Sequence, residues 1–142
     1  MLVEINCESD FVARTDDFQE LLKDIAMHIA ATDPRYIGKD EVTEADIERE
    51  KDVYRAQAAA SGKPPAIVEK MLEGKLGKFY EEYCLLEQPF IKEQSISIKE
   101  LIAQKVGKLG ENITVRRFAR FKVGDPNWTV ATTKLVEGIS AE

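Results

Sequence analysis

The sequence predicts an α+β fold: a small antiparallel sheet packed with helices, from which an antiparallel helical hairpin protrudes. Three observations support it. Stretches of period-two alternation open the chain and return near residues 113–123. Four segments between them carry apolar residues at helical spacing. Strands and helices do not alternate regularly, as a parallel sheet would require. At 142 residues, with 44% hydrophobic and 32% charged side chains, the chain is long enough for one well-cored domain. A core over 1–124 and a C-terminal tail over 125–142 are expected, with the hairpin at about 43–83.

Taken in order, Val3, Ile5 and Cys7 alternate with Glu4 and Asn6, the pattern of a strand with one buried face. Glu8-Ser9-Asp10 is turn chemistry and presents Phe11. Thr15 caps a helix to about Ala31, with Asp16 and Asp17 in its first turn and Phe18, Leu21, Leu22, Ile25 and Ile29 along it; Pro34 ends it. Thr43 and Asp46 open a highly charged helix that breaks at Ser61-Gly62-Lys63-Pro64-Pro65. A third helix returns from about Pro65 to Tyr83 with a narrow stripe of Val68, Leu72, Leu76, Phe79 and Tyr83, so the two form an arm with an exposed tip. An extended Leu85-to-Ile91 segment, a helix over Ile98 to Lys108, a break at Gly110 and a strand from Ile113 to Val123 complete the core. Asp125-Pro126-Asn127 is a turn, and 128–136 is too weakly patterned to assign.

Composition narrows the function. A net charge of −6 does not suit a general nucleic-acid binder, which needs a clustered basic footprint, so a protein partner is expected. Cys7 and Cys84 lie far apart with no Cys-x-x-Cys spacing, which fits reduced thiols in a cytoplasmic protein. No stretch of 18 apolar residues and no leader pattern occurs, so neither membrane spanning nor export is expected. Glu4, Glu8, Asp10 and His28 have no catalytic or metal-ligand spacing, and there is no phosphate loop or nucleophile elbow. The expectation is a non-enzyme with no cofactor, metal or small-molecule substrate.

The run Ser9-Asp10-Phe11-Val12 resembles the signature of the elongation factor Ts family, which usually has Thr in the first place. Met27-His28-Ile29-Ala30-Ala31, Ser61-Gly62-Lys63-Pro64, Leu86-Glu87-Gln88-Pro89-Phe90, Gly110-Glu111-Asn112-Ile113 and Arg116-Arg117-Phe118 follow in family order. The resemblance implies a guanine-nucleotide exchange factor core that binds elongation factor Tu and promotes GDP release. A structural dimerisation module without exchange activity is the alternative. Members usually begin with a small domain similar to ubiquitin-associated domains. Here Met1 lies almost on the signature, which implies a core or dimerisation fragment of the short form, completed as a homodimer.

The resemblance assigns Asp10, Phe11, Val12, His28, Leu109 and Gly110 to the surface that meets elongation factor Tu. In the family the matching phenylalanine inserts between two helices of the GTPase. By residue type alone Phe11 belongs in the core, since an uninterrupted strand puts it on the face of Val3 and Ile5. His28 falls at the edge of its helix's apolar stripe, a common place for a structural histidine. Gly110 is equally a helix terminator. The strand Arg116 to Lys122 has the basic and aromatic interleaving of an RNA-binding stripe but lacks the motif's glycine. With Ile113, Val115, Ala119, Phe121 and Val123 on one face and Phe118 on the other, it reads as an edge strand that is better buried, either in the sheet or against its twin across a two-fold axis. Arg117, Phe118, Ala119 and Phe121 are its expected dimer interface.

Overall fold

A computed structural model describes residues 1–133. Strand β1 (Leu2–Asn6) runs into a one-turn helix α1 (Asp10–Ala13) and then α2 (Asp16–Thr32). Thr15 caps α2 by accepting the Phe18 amide on its hydroxyl at 3.3 Å, and Asp16 and Asp17 sit at the positive end of the helix dipole. The helix closes at Asp33 in a left-handed conformation, φ 49°, just before Pro34 removes any chance of continuation.

Helices α3 (Glu44–Ala59) and α4 (Pro65–Tyr83) form the expected hairpin, turned at Gly62 with φ 66°. Thr43 caps α3, and proline at the first position of α4 supplies a preset φ where no amide partner exists. The arm is thinly packed: α3 buries no side chain and α4 buries only Leu72 and Phe79. Ion pairs such as Arg49–Asp46 at 3.1 Å and Arg55–Asp52 at 3.0 Å line α3, where solvent screening leaves them little weight. What anchors the arm is its base, where Val42, Phe79 and Cys84 pack with Tyr36, Ile47, Tyr80 and Tyr83. Burial pushes the Cys84 thiol up to about 12, so no thiolate forms there near neutral pH.

The remainder is α5 (Ile98–Leu109), a short hairpin of β2 (Pro89–Phe90) with β3 (Glu93–Ser97), and strands β4 (Thr114–Arg120) and β5 (Thr129–Thr132). The main sheet is antiparallel in the order β1-β4-β5. The core lies between this sheet and two helices. Phe18, Leu21, Ile25 and Ile29 of α2 meet Ile98, Leu101 and Ile102 of α5 and Val115, Phe118 and Ala131 of the sheet.

Three differences from the sequence reading concern strands. The Leu85-to-Ile91 segment is a 3-10 turn over Leu85–Glu87 followed by β2, and its partner β3 was not expected. β5 comes from the segment assigned to the tail, so the sheet continues past residue 124; the rest of the tail, 134–142, lies outside the described residues. β4 is the central strand, paired on both sides, and not an edge.

The faces of β4 also differ, because of a bulge. Glu4 pairs with Arg117 and the next residue, Ile5, with Val115, so Arg116 is an extra residue in β4. The extra residue brings Val115 and Phe118, three apart, onto the same inward face, where strict alternation would separate them. Phe118 is 2% exposed and belongs to the core, which removes it from the expected dimer surface. Arg117 pairs with Glu4 at 2.6 Å on the outer face, in register with Thr132. Ala119 follows there beside Leu2 and Val130, and Phe121, 63% exposed, stands 6.1 Å from the Trp128 ring.

Candidate functional site

The most exposed large apolar side chain in the first helical part of the molecule is Phe11, at 78%, and its surroundings explain why it stays out. Ser9 is extended, φ −131° and ψ 154°, and its hydroxyl accepts the Val12 amide at 3.3 Å as the cap of α1. One helical turn then points Val12 into the core at 5% exposure, which directs Phe11, about 100° away around the axis, to solvent. Thr15 donates to the Val12 carbonyl at 2.7 Å and Gln19 Nε2 to the Ala13 carbonyl at 2.8 Å, closing the far end. Asp10, beside Phe11, is exposed and pairs with Arg14 one turn on at 3.2 Å.

The turn is also held from the other end of the chain. Gly110 ends α5 in a left-handed conformation, φ 74°, and swings Glu111 beneath the end of β1. Glu111 Oε1 accepts the amides of Glu8 and Ser9 at 3.2 and 2.9 Å, and Oε2 accepts the Ser9 hydroxyl at 2.6 Å. In return Glu8 Oε2 accepts the Asn112 amide at 3.2 Å. The Leu109-Gly110 loop and the Asp10-Phe11 turn are therefore neighbours, joined by two glutamates. Sequence reasoning missed this role for Glu111, since 102 positions separate it from Ser9 and no spacing rule reaches that far.

The other expected site residues divide. Gly110 is exposed beside the turn, while Leu109 is half-buried against the core. Val12 is interior and anchors the turn to the core. His28 requires the larger correction: it is 0% exposed, and at about 1.5 Å per residue it lies roughly 18 Å along α2 from Asp16. Its Nδ1 accepts the Ile91 amide at 3.3 Å, which fixes the proton on Nε2, donated to Gln88 Oε1 at 2.8 Å. Gln88 in turn accepts from the Thr32 hydroxyl and donates to the Glu82 carbonyl at 2.7 Å. Phe90 stacks over the imidazole at 6.2 Å. The segment 88–91 thus covers the helix edge that the periodicity left open.

This network makes a pH prediction. Burial lowers the His28 pKa from its ordinary 6.5, with the Gln88 bond opposing, and a proton on Nδ1 would confront the Ile91 N–H. The unfolded chain therefore binds a proton that the folded chain refuses, and stability falls as pH drops below 6.5, before the carboxylates titrate. Urea unfolding at pH 7.5 and 5.0 is expected to show this loss in the parent and a smaller one in His28→Gln. Identical slopes would assign the pH dependence to other groups.

A family model described as Elongation factor TS matches residues 19–125, three quarters of the chain. The chain belongs to the elongation factor Ts family. Curated relatives with that name are 65% identical over 134 residues in Koribacter versatilis, covering 94% of this chain and 61% of the relative. The one from Solibacter usitatus is 62% identical over 125 residues, 88% of this chain and 59% of the relative. That from Carboxydothermus hydrogenoformans is 54% identical over the same length, 88% and 58%. The chain spans about three fifths of the length of these family members. The matched stretch holds His28, Leu109, Gly110 and β4, and begins just after the turn that carries Phe11. Among the described residues no helix is long and apolar enough to cross a membrane.

Proposed function

We propose that this chain is the core of a guanine-nucleotide exchange factor that docks on elongation factor Tu through the Asp10-Phe11 turn and promotes GDP release in the cytoplasm. The observation that carries the proposal is Phe11, a large aromatic held out in water on a turn fixed at both ends. Such a side chain has little to offer its own fold. It gains roughly 1.5–3 kcal/mol when a partner pocket buries it. The neighbouring Asp10 carboxylate enters with it near the GTPase's magnesium site, with Gly110 and the edge of Leu109 beside them. Exchange then follows from linkage: factor and nucleotide each weaken the other's binding, so docking expels GDP and no covalent step is needed.

The direct test is the release rate of a fluorescent GDP analogue from elongation factor Tu with and without this chain. Acceleration supports exchange by the core. Tight binding without acceleration would instead select the alternative, a docking module whose activity resides in the rest of a longer protein.

The outer face of the sheet is the proposed self-association surface. Leu2 and Val130 flank Ala119 in a shallow groove, and Phe121 and Trp128 extend it, all apolar and open to water. A second copy covers this face in the proposal, with three of the four residues expected from sequence: Arg117, Ala119 and Phe121. Light scattering of the parent and of Phe121→Asp decides it. A dimer in the parent and a monomer in the variant are expected, whereas a monomeric parent at high concentration removes the proposal.

A further inference from the structure

We propose that Glu111 is a positioning residue for the docking turn: its carboxylate, reaching from the α5–β4 loop, holds Ser9-Asp10-Phe11 in the geometry that projects Phe11. This rests on the docking reading above and extends it to a residue that touches no partner in that reading.

A four-residue helix does not maintain itself, since the first turn of a helix fixes several dihedrals for a single hydrogen bond. The geometry of α1 is therefore imposed from outside. Val12 anchors it to the core and Thr15 closes its C-terminal end, but its N-terminal end depends on Ser9. A serine hydroxyl has one proton and two lone pairs. Here the proton goes to Glu111 Oε2 at 2.6 Å, which orients the hydroxyl so that a lone pair meets the Val12 amide. The same carboxylate takes the Glu8 and Ser9 amides, so one ionised side chain satisfies three donors of the segment entering α1. Bonds to a charged acceptor are the strong kind, and the reciprocal Glu8–Asn112 bond keeps the two loops in one register.

Without Glu111 the Ser9 hydroxyl is free to rotate, the cap weakens, and α1 frays while the core beneath Val12 stays packed. Affinity for a partner then falls by the fraction of molecules that still present Phe11 correctly. A drop of that fraction to about one tenth weakens binding about tenfold.

The test measures affinity for elongation factor Tu in four proteins, the parent, Glu111→Ala, Phe11→Ala and the double variant, with amide hydrogen exchange on each. Glu111→Ala is expected to weaken binding about tenfold in the parent background and hardly at all when Phe11 is already absent. Exchange of the 10–13 amides should accelerate while the Leu21–Ile29 amides keep their protection. Glu111→Gln should recover only part of the affinity, since its amide oxygen still accepts both backbone N–H groups while its NH2 cannot accept the Ser9 hydroxyl proton. Ser9→Ala, which leaves the 110–112 loop untouched, should reproduce the loss. Equal losses in both backgrounds, or protection lost throughout α2, would show a general structural role and overturn the proposal. Parent-like binding by Glu111→Ala, alongside weakened binding by Phe11→Ala, would overturn Glu111 alone and leave the docking reading standing. Parent-like binding by Phe11→Ala would overturn the docking reading, and unchanged exchange at 10–13 in Glu111→Ala would overturn the ordering of the turn independently.

Discussion

Phe11→Ala is expected to weaken binding to elongation factor Tu by about 10- to 100-fold while leaving folding stability within roughly 0.5 kcal/mol of the parent. The two numbers come from different surroundings of one side chain. In the free chain Phe11 is 78% exposed and removes little apolar surface from water, so truncation deletes little that folding gained. Alanine is also the best helix former, which suits the first turn of α1. In the complex the same ring is buried, and its loss costs the full transfer term, roughly 1.5–3 kcal/mol, where 1.4 kcal/mol is tenfold in affinity. Calorimetric binding and urea unfolding on the same two proteins check it. A variant that loses stability in step with affinity would place Phe11 back among the structural residues.

The helical part of this fold was legible because its signals are local. Thr15, Thr43 and Pro65 mark helix starts by side-chain chemistry that acts within three residues, and the Phe18 to Ile29 spacing needs only the helical period. The sheet was less legible because pairing is decided by distant segments. β5 is a four-residue strand whose apolar content is slight, and it exists because β4 offers it a ladder. The bulge at Arg116 has no sequence mark at all, yet it reverses the face of every residue after it.

The candidate site follows the same division. The turn at Ser9-Asp10 was legible from its residue types, and the family resemblance turned Phe11 from a core candidate into an exposed one. The helical period puts His28 at the edge of the apolar stripe of α2, and only the fold shows Gln88 and Ile91 closing over it. Glu111 belongs to a block that the resemblance singled out, without anything in the sequence to say that its carboxylate reaches Ser9.

Phe118→Ala is expected to destabilise the fold by about 3–5 kcal/mol, a large share of the roughly 5–15 kcal/mol typical of a domain. Phe118 is the point where sheet and helices meet, in register with Val3 on one side and Ala131 on the other and packed in the cluster of α2 and α5. Removing the ring leaves a cavity that three paired strands cannot close by shifting, because each is fixed by ladder bonds to its neighbour. Phe121→Ala, three residues further along and on the opposite face, is expected to change stability by no more than about 0.5 kcal/mol. Thermal melts of the two variants separate the bulged sheet from a regular one. In a regular β4, Phe118 would share the outer face with Arg116 and Arg120, and its truncation would affect self-association first. With the bulge, the melting temperature of Phe118→Ala should fall by on the order of 10 °C, at every protein concentration. A concentration-dependent loss in Phe118→Ala, with the monomer as stable as the parent's, would return that ring to the outer surface.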